Sequence, residues 1–122
     1  MDRTTLLRLE ETGIDLKELF ERCLGNENLA CRLLLKFVSD TNYDALCEAL
    51  KANDVERAIA AAHALKGMCG NLSMKRLQGL FETVLALLRK NDLAGARECC
   101  GKADAVYSET RLALTTTLGQ AE

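Results

Sequence analysis

Apolar residues recur at helical spacing along most of the chain, and short polar or glycine-containing turns separate the periodic segments. The clearest segment is "MKRLQGLFETVLALLRK", residues 74–90, whose apolar positions are Leu77, Leu80, Phe81, Val84, Leu85 and Leu88. Because residues three and four apart lie on one side of an α-helix, this pattern predicts a helix with one buried face.

Turn and capping signals predict two helices before residue 52. A short one follows Asp15, which forms a capping-box pattern with Glu18, and Gly25 ends it. A longer one is predicted from Asn26 to about Lys51. Its periodicity weakens at residues 39–42, where a bend or local fraying is expected.

Three further helices are predicted in the rest of the chain. The third follows the break at residues 52–54, with Asn53 as its cap, and runs to about Asn71 or Leu72. Ser73 is the predicted cap of the fourth helix. The dipeptide "ND" at 91–92 ends that helix, and a fifth runs to about Leu118.

These elements predict an all-α fold, an antiparallel up-down four-helix bundle with a short additional N-terminal helix. Four long helices joined by very short turns are expected to pack as antiparallel neighbours. With 122 residues, no proline, no tryptophan and 4% aromatic residues, the composition favours helices over strands. We expect one domain over residues 1–122, with its core at about 13–118.

Charge and hydropathy exclude some classes of partner. The formal charge of −2 argues against nucleic acid or an anionic membrane surface as a partner. Apolar runs stay shorter than the roughly 18 residues that a membrane span requires. Five of the first eleven residues are charged, unlike a signal peptide, so we expect a cytoplasmic location.

The six cysteines do not form a metal-binding pattern. The sequence has no Cys-x-x-Cys pair, and with only one histidine there is no second one to complete a zinc site. We expect reduced thiols, as in a cytosolic protein. The adjacent Cys99 and Cys100 look exposed and are the candidates for a redox role.

The single histidine, His63, lies in the third predicted helix, in the stretch "AAHALKGMCGN". On a helical wheel, a sector about 100° wide contains the residues expected to be buried. They are Val55, Ala58, Ala62, Leu65, Cys69 and Leu72. His63 lies roughly 130° from the centre of that sector, so its ring should reach solvent. Lys66, Gly67 and Gly70 lie within about 60° of His63 and share its outward face.

This shared face suggests a histidine that a partner can approach. Each helical glycine costs about 1 kcal/mol relative to alanine, and the missing side chains leave bare backbone beside the ring. Lys66 would place an ammonium group within reach of a phosphate on the ring. The alternative is an inert surface histidine, with the glycines serving close packing between helices.

The segment "HALKGMCGNL" closely resembles the signature of histidine-containing phosphotransfer (HPt) domains, His-x-Leu-Lys-Gly followed three residues later by Asn-Leu-Gly. The matching residues are His63, Leu65, Lys66, Gly67, Asn71 and Leu72. Ser73 stands where the family usually has the final glycine. The flanking segments also resemble the helices of this family, so the resemblance covers about residues 13–118.

The resemblance implies that the chain is a phosphorelay carrier and not an enzyme. His63 would accept a phosphoryl group from a phospho-aspartate of a response-regulator receiver domain and pass it to another receiver. Lys66 would steady the phosphoryl oxygens, and Gly67 would give the receiver room. A monomer without cofactor or ATP site is implied, with the divalent metal on the receiver and a hybrid histidine kinase as a further partner.

Further contacts with the receiver are expected around the histidine. The candidate docking residues are Gly67, Gly70, Ile59, Gln78 and Arg89. Some members of the family have a polar residue on the next helix beside the histidine. Here Gln78, Glu82 and Arg89 are candidates, whereas Leu85 occupies one position where a polar group was expected.

Two other functions remain open from the sequence. The chain could be a helical docking module for receivers or other signalling proteins that never carries phosphate. It could also be a dimerising helical piece of a sensor kinase. That class is disfavoured because no proline-containing continuation follows His63 and no glycine-rich nucleotide loop is found.

Overall fold

The computed structural model describes residues 1–119, and within this range the chain is all-helical. The helices are α1 (Arg3–Glu11), α2 (Leu16–Arg22), α3 (Glu27–Ser39), α4 (Asn42–Lys51), α5 (Val55–Asn71), α6 (Lys75–Arg89) and α7 (Leu93–Thr117). The predicted all-α class is therefore confirmed. The prediction of one domain extends to residues 120–122, which lie outside the described residues.

Helix α1 was not predicted from the sequence. Asp2 caps it by accepting a hydrogen bond from the Thr5 backbone N–H at 2.8 Å. Leu9 is fully buried, and α1 contacts α7. Leu9 is the one deeply buried residue of this charged segment. A single buried position gives no periodicity from which the helix could be predicted. The core therefore begins before residue 13.

The long second helix of the prediction is two helices, α3 and α4. Asp40 has an extended backbone with ψ of 142°, which ends α3. Its carboxylate accepts hydrogen bonds from the backbone and side-chain amides of Asn42, at 2.9 and 3.0 Å. The weak periodicity at 39–42 thus marks a complete break.

Four of the turns between the helices contain a non-glycine residue in the left-handed conformation. Leu24, Asn53, Ser73 and Asn91 have φ between +54° and +59°. Asn53 and Ser73 are therefore not the N-caps that the sequence predicted. Asp54 caps α5 by accepting a hydrogen bond from the Arg57 N–H at 3.2 Å, and Met74 precedes α6 without a side-chain cap. Since a positive φ favours glycine, the conformation of Ser73 explains why glycine is usual there.

The long helices pack around a common core. The most extensive contacts join α4 to α5, α5 to α6, and α6 to α7, while α3 packs on α7. The centroid of the Tyr107 ring lies 5.2 Å from that of the Phe37 ring and 4.2 Å from that of the Tyr43 ring. The Tyr43 hydroxyl donates a hydrogen bond to Asp104 at 2.6 Å. These contacts fix α3 and α4 against α7.

Helix α2 is fastened to the turn between α5 and α6. The Asp15 N–H donates to the Ser73 carbonyl at 2.8 Å, and the Lys75 N–H donates to the Gly13 carbonyl at 3.0 Å. The Glu18 carboxylate accepts from the Ser73 hydroxyl and the Lys75 ammonium, each at 2.9 Å. Asp15 caps α2 as predicted, but Glu18 does not complete a capping box. Its side chain instead holds α2 beside the end of α5.

The predicted faces of α5 are largely confirmed. Ala58, Ala62, Leu65, Cys69 and Leu72 are buried, whereas Val55 is only half-buried.

Among the helices of residues 1–119, none combines the length and apolar character that a membrane span requires.

The six cysteines are all free thiols. Cys99 and Cys100, which the sequence presented as an exposed pair, are both buried. Their helix, α7, packs these positions inward, so the exposure expected from the sequence is wrong.

Candidate functional site

His63 stands on the outward face of α5. Its neighbour Ala62 and the next-turn residue Leu65 are fully buried, and His63 itself is exposed. The Asp54 cap and the buried stripe determine the rotation of α5, because a helix that buries one face must present the opposite one. The predicted exposure of the ring is confirmed.

An open pocket of about 320 Å³ lies on one side of His63. It is lined by Arg22, His63, Lys66, Gly67, Gly70, Asn71 and Gln78. The lining thus includes two cations and two amides, and among the described residues no carboxylate lines it. Such a lining suits an anion, because guanidinium, ammonium and amide groups all donate hydrogen bonds.

The two glycines near His63 differ in their surroundings. A Cβ added at Gly67 would meet no atom of the described residues within 4 Å, so the backbone there is open. A Cβ added at Gly70 would lie 3.0 Å from Nε2 of Gln78. The expected bare backbone is therefore found at Gly67, and the expectation is wrong for Gly70, which the Gln78 amide covers.

Gln78 is the polar residue of the following helix that lines the pocket of His63. Leu85 is buried in the core and does not line the pocket, so a polar group at that position would lose its hydration. Glu82 instead lines a separate hollow on α6 that contains Lys90. The structure therefore brings one of the three candidates to the site.

Two of the predicted docking residues lie outside this pocket. Ile59 is half-buried one turn before His63 and packs on the core. Arg89 is exposed at the last turn of α6. The structure does not place either side chain in the lining of the His63 pocket.

A second groove, of about 590 Å³, lies on the other side of His63 between α3 and α5. Its lining is mainly apolar and consists of Leu33, Lys36, Phe37, Asp40, His63, Ala64, Gly67, Met68, Asn71 and Leu72. His63 and Gly67 belong to both hollows. The imidazole therefore stands between a polar pocket and an apolar groove.

The sequence did not reveal Arg22 as part of the site. Arg22 comes from α2, and its side chain is 48% exposed and donates from Nη2 to Glu18 at 2.9 Å. The hydrogen bond from Lys75, followed by that from Ser73, holds the pKa of Glu18 below its usual range. The only sequence signal was the helical Glu18–Arg22 spacing, which says nothing about proximity to His63.

The arrangement can place an anionic group on the ring and surround it with donors. In phosphoryl transfer, positioning and positive charge near the phosphoryl oxygens are the main protein contributions. Within residues 1–119, no three His, Cys, Asp or Glu side chains come together as a set of metal ligands.

Comparison with known protein families identifies the class to which this chain belongs. The sequence profile of the Hpt domain matches residues 33–121, well over half of the chain. The chain belongs to the Hpt domain family, whose members are phosphotransfer carriers of two-component signalling. Searches of curated proteins and of solved structures each gave no significant match.

Proposed function

We propose that this chain is a phosphorelay intermediate that accepts a phosphoryl group on His63 from one receiver domain and donates it to another. The observation that carries the proposal is the exposure of the chain's only histidine at an open pocket lined by Lys66 and Arg22. Membership of the Hpt domain family supports the same reaction class.

The transfer forms one bond and breaks one. The lone pair of the unprotonated ring nitrogen of His63 attacks the phosphorus of the receiver's aspartyl phosphate. A phosphorus–nitrogen bond forms, the phosphorus–oxygen bond to the aspartate breaks, and its electron pair leaves with the carboxylate. The other ring nitrogen keeps its proton. The reverse sequence on a second receiver unloads the histidine.

The residues around His63 would divide the remaining tasks. Lys66 would bind the phosphoryl oxygens as a point charge. Gly67 would let the receiver approach the ring, because its backbone is open. Gln78 would offer an amide from α6. Gly70, Ile59 and Arg89 would contact the receiver further from the ring.

The partners and the state of the chain are part of the proposal. Receivers, and a hybrid histidine kinase that carries one, would dock over His63, and the divalent metal would be theirs. We propose a cytoplasmic monomer and a single domain. Its antiparallel up-down order is supported by the three-residue connections 52–54, 72–74 and 90–92 between the long helices.

The direct test is phosphate exchange with receivers. A panel of receivers is phosphorylated with radiolabelled acetyl phosphate, purified and mixed with the full chain. The expected result is an acid-labile, base-stable label on the wild type and none on His63→Gln. A label that persists on His63→Gln, or no label from any receiver, contradicts the proposal.

Lys66→Ala tests the role of the lysine within the same assay. We expect transfer to slow about tenfold, equivalent to ~1.4 kcal/mol of transition-state stabilisation. Lys102→Ala on α7, at an exposed lysine outside the His63 pocket, serves as the control and should leave the rate unchanged. Equal rates for the wild type and Lys66→Ala would remove this residue from the mechanism.

The apolar groove between α3 and α5 favours one alternative, a docking module that never carries phosphate. Under this alternative, receivers would bind the wild type and His63→Ala equally well, and the wild type would take up no label. Isothermal titration calorimetry with both proteins, beside the labelling assay, separates the two functions.

A further inference from the structure

We propose that Arg22 of α2 binds the phosphoryl group carried by His63, as a second cation beside Lys66. This inference rests on the proposed function and adds a residue to its site. Arg22 lies outside the segment that matches the Hpt domain, residues 33–121, so this cation comes from the preceding part of the chain.

The first argument is the composition of the pocket. The chain has a formal charge of −2, yet the only charged side chains among the described residues that line this pocket are Arg22 and Lys66. His63 lines this pocket together with both cations. Two cations and two amides around one ring form a site for a doubly charged anion.

The second argument is the way Arg22 is held. Glu18 accepts a hydrogen bond from its Nη2 at 2.9 Å, which restrains the guanidinium at one corner. A guanidinium has five N–H donors in a planar fork, so the others remain for phosphoryl oxygens. Glu18 thus orients the Arg22 side chain and leaves most of its N–H donors available.

The third argument is charge balance in the supporting cluster. Glu18 carries one negative charge and contacts two cations, Arg22 and Lys75, each at 2.9 Å. The cluster therefore keeps one net positive charge. The Ser73 hydroxyl also donates to Glu18, and the backbone bonds between residues 13–15 and 73–75 tie α2 to the end of α5. The guanidinium is presented to the pocket by a fixed element.

The test reads the phosphoryl group directly in the full chain without a receiver. Phosphoramidate labels the imidazole chemically: the ring nitrogen forms a bond to phosphorus, and ammonia leaves. Because the chain has one histidine, the phosphorus-31 NMR signal of the phosphoimidazole belongs to His63. Its shift against pH gives the midpoint at which the dianionic phosphoimidazole takes up one proton.

A cation bound to the phosphoryl oxygens lowers that midpoint, because it stabilises the dianion. In Arg22→Gln we expect proton affinity to rise about fivefold, a midpoint higher by roughly 0.7 pH unit. Arg22→Lys should fall between the two, since it keeps the charge without the fork. If Arg22→Gln loses its helical circular dichroism, the midpoint of Arg22→Lys tests the proposal in its place.

Arg57→Gln is the matched control, because Arg57 is also an exposed arginine with a carboxylate neighbour, the N-cap residue Asp54 at 4.0 Å. Its midpoint should equal that of the wild type. A midpoint unchanged in Arg22→Gln, or shifted equally in Arg57→Gln, overturns the proposal for Arg22. Failure of every receiver to label the wild type would instead overturn the proposed function, so the two failures are distinguishable.

Discussion

At the scale of single residues, the two glycines beside His63 serve different purposes. Gly67 lies between the polar pocket and the apolar groove with open space over its Cα. Gly70 makes room for the Gln78 amide. A side chain at Gly67 would therefore meet an approaching partner, whereas one at Gly70 would first displace a residue of this chain.

The residue-scale prediction separates stability from function at Gly67. In Gly67→Gln the free energy of unfolding should rise by about 0.5 kcal/mol, because glutamine is the better helix former. Phosphotransfer from a receiver should slow at least about tenfold, since the side chain would stand between the receiver and the ring. Chemical denaturation and the labelling assay measure the two effects.

Gly101→Gln provides the control for this substitution. Gly101 is also an exposed glycine inside a helix, with no described atom within 4 Å of an added Cβ. It should show the same gain in stability and an unchanged transfer rate. Equal transfer rates for the two variants would mean that Gly67 is not part of the docking surface.

At the scale of elements, the N-terminal helices connect the bundle to the site. α1 contacts α7 and buries Leu9, and α2 is bonded to the turn between α5 and α6. The contacts of α2 bring Arg22 to the pocket. These two helices are therefore part of the fold that positions the site, although the Hpt domain match begins only at residue 33.

The element-scale prediction tests the attachment of α1. Leu9 is fully buried, so Leu9→Ala should lower the free energy of unfolding by about 3 kcal/mol, combining lost burial and a cavity. Leu7, on the same helix, is 52% exposed, and Leu7→Ala should change it by less than about 0.5 kcal/mol. Urea denaturation followed by circular dichroism measures both. Similar values for the two variants would show that α1 is not packed as described.

At the scale of the whole molecule, the core contains thiols and a tyrosine pair whose ionised forms are destabilised by burial. Burial raises the pKa of Cys69 to about 12 and that of Cys100 to about 11. Burial also raises the pKa of Tyr43, with a further contribution from its hydrogen bond to Asp104. The folded protein therefore keeps these protons at pH values where the unfolded chain releases them.

The whole-molecule prediction is a loss of stability in alkali. A group whose pKa is raised by folding contributes stability that is present below its unfolded pKa, near 8.5 for a thiol. That contribution is lost as the pH rises towards the folded pKa. The urea midpoint should fall between about pH 9 and pH 11, and Cys100→Ala should show a shallower fall than the wild type. Equal slopes would mean that the Cys100 thiol does not contribute.

Much of the fold follows from local rules that can be read along the chain. A helix turns by a constant angle per residue, so the buried stripe of α5 and the exposure of His63 could be predicted from spacing alone. The dipeptides Asn53–Asp54 and Asn91–Asp92 marked two turns correctly. The cap of α5 could be assigned to one residue of the first pair only from the backbone conformation, because Asn53 adopts a left-handed conformation.

The sequence by itself determined the all-helical class, the presence of α5, α6 and α7, and which face of α5 carries His63, because these depend on residues only a few positions apart. The tertiary structure alone decided that Gln78 covers Gly70, that Cys99 and Cys100 are buried, and that Arg22 reaches the pocket. Each depends on how separate helices meet: Glu18, which restrains Arg22, bonds to a residue 55 positions away. Periodicity describes the faces of one helix and contains no information about which side chain of another helix will lie against them.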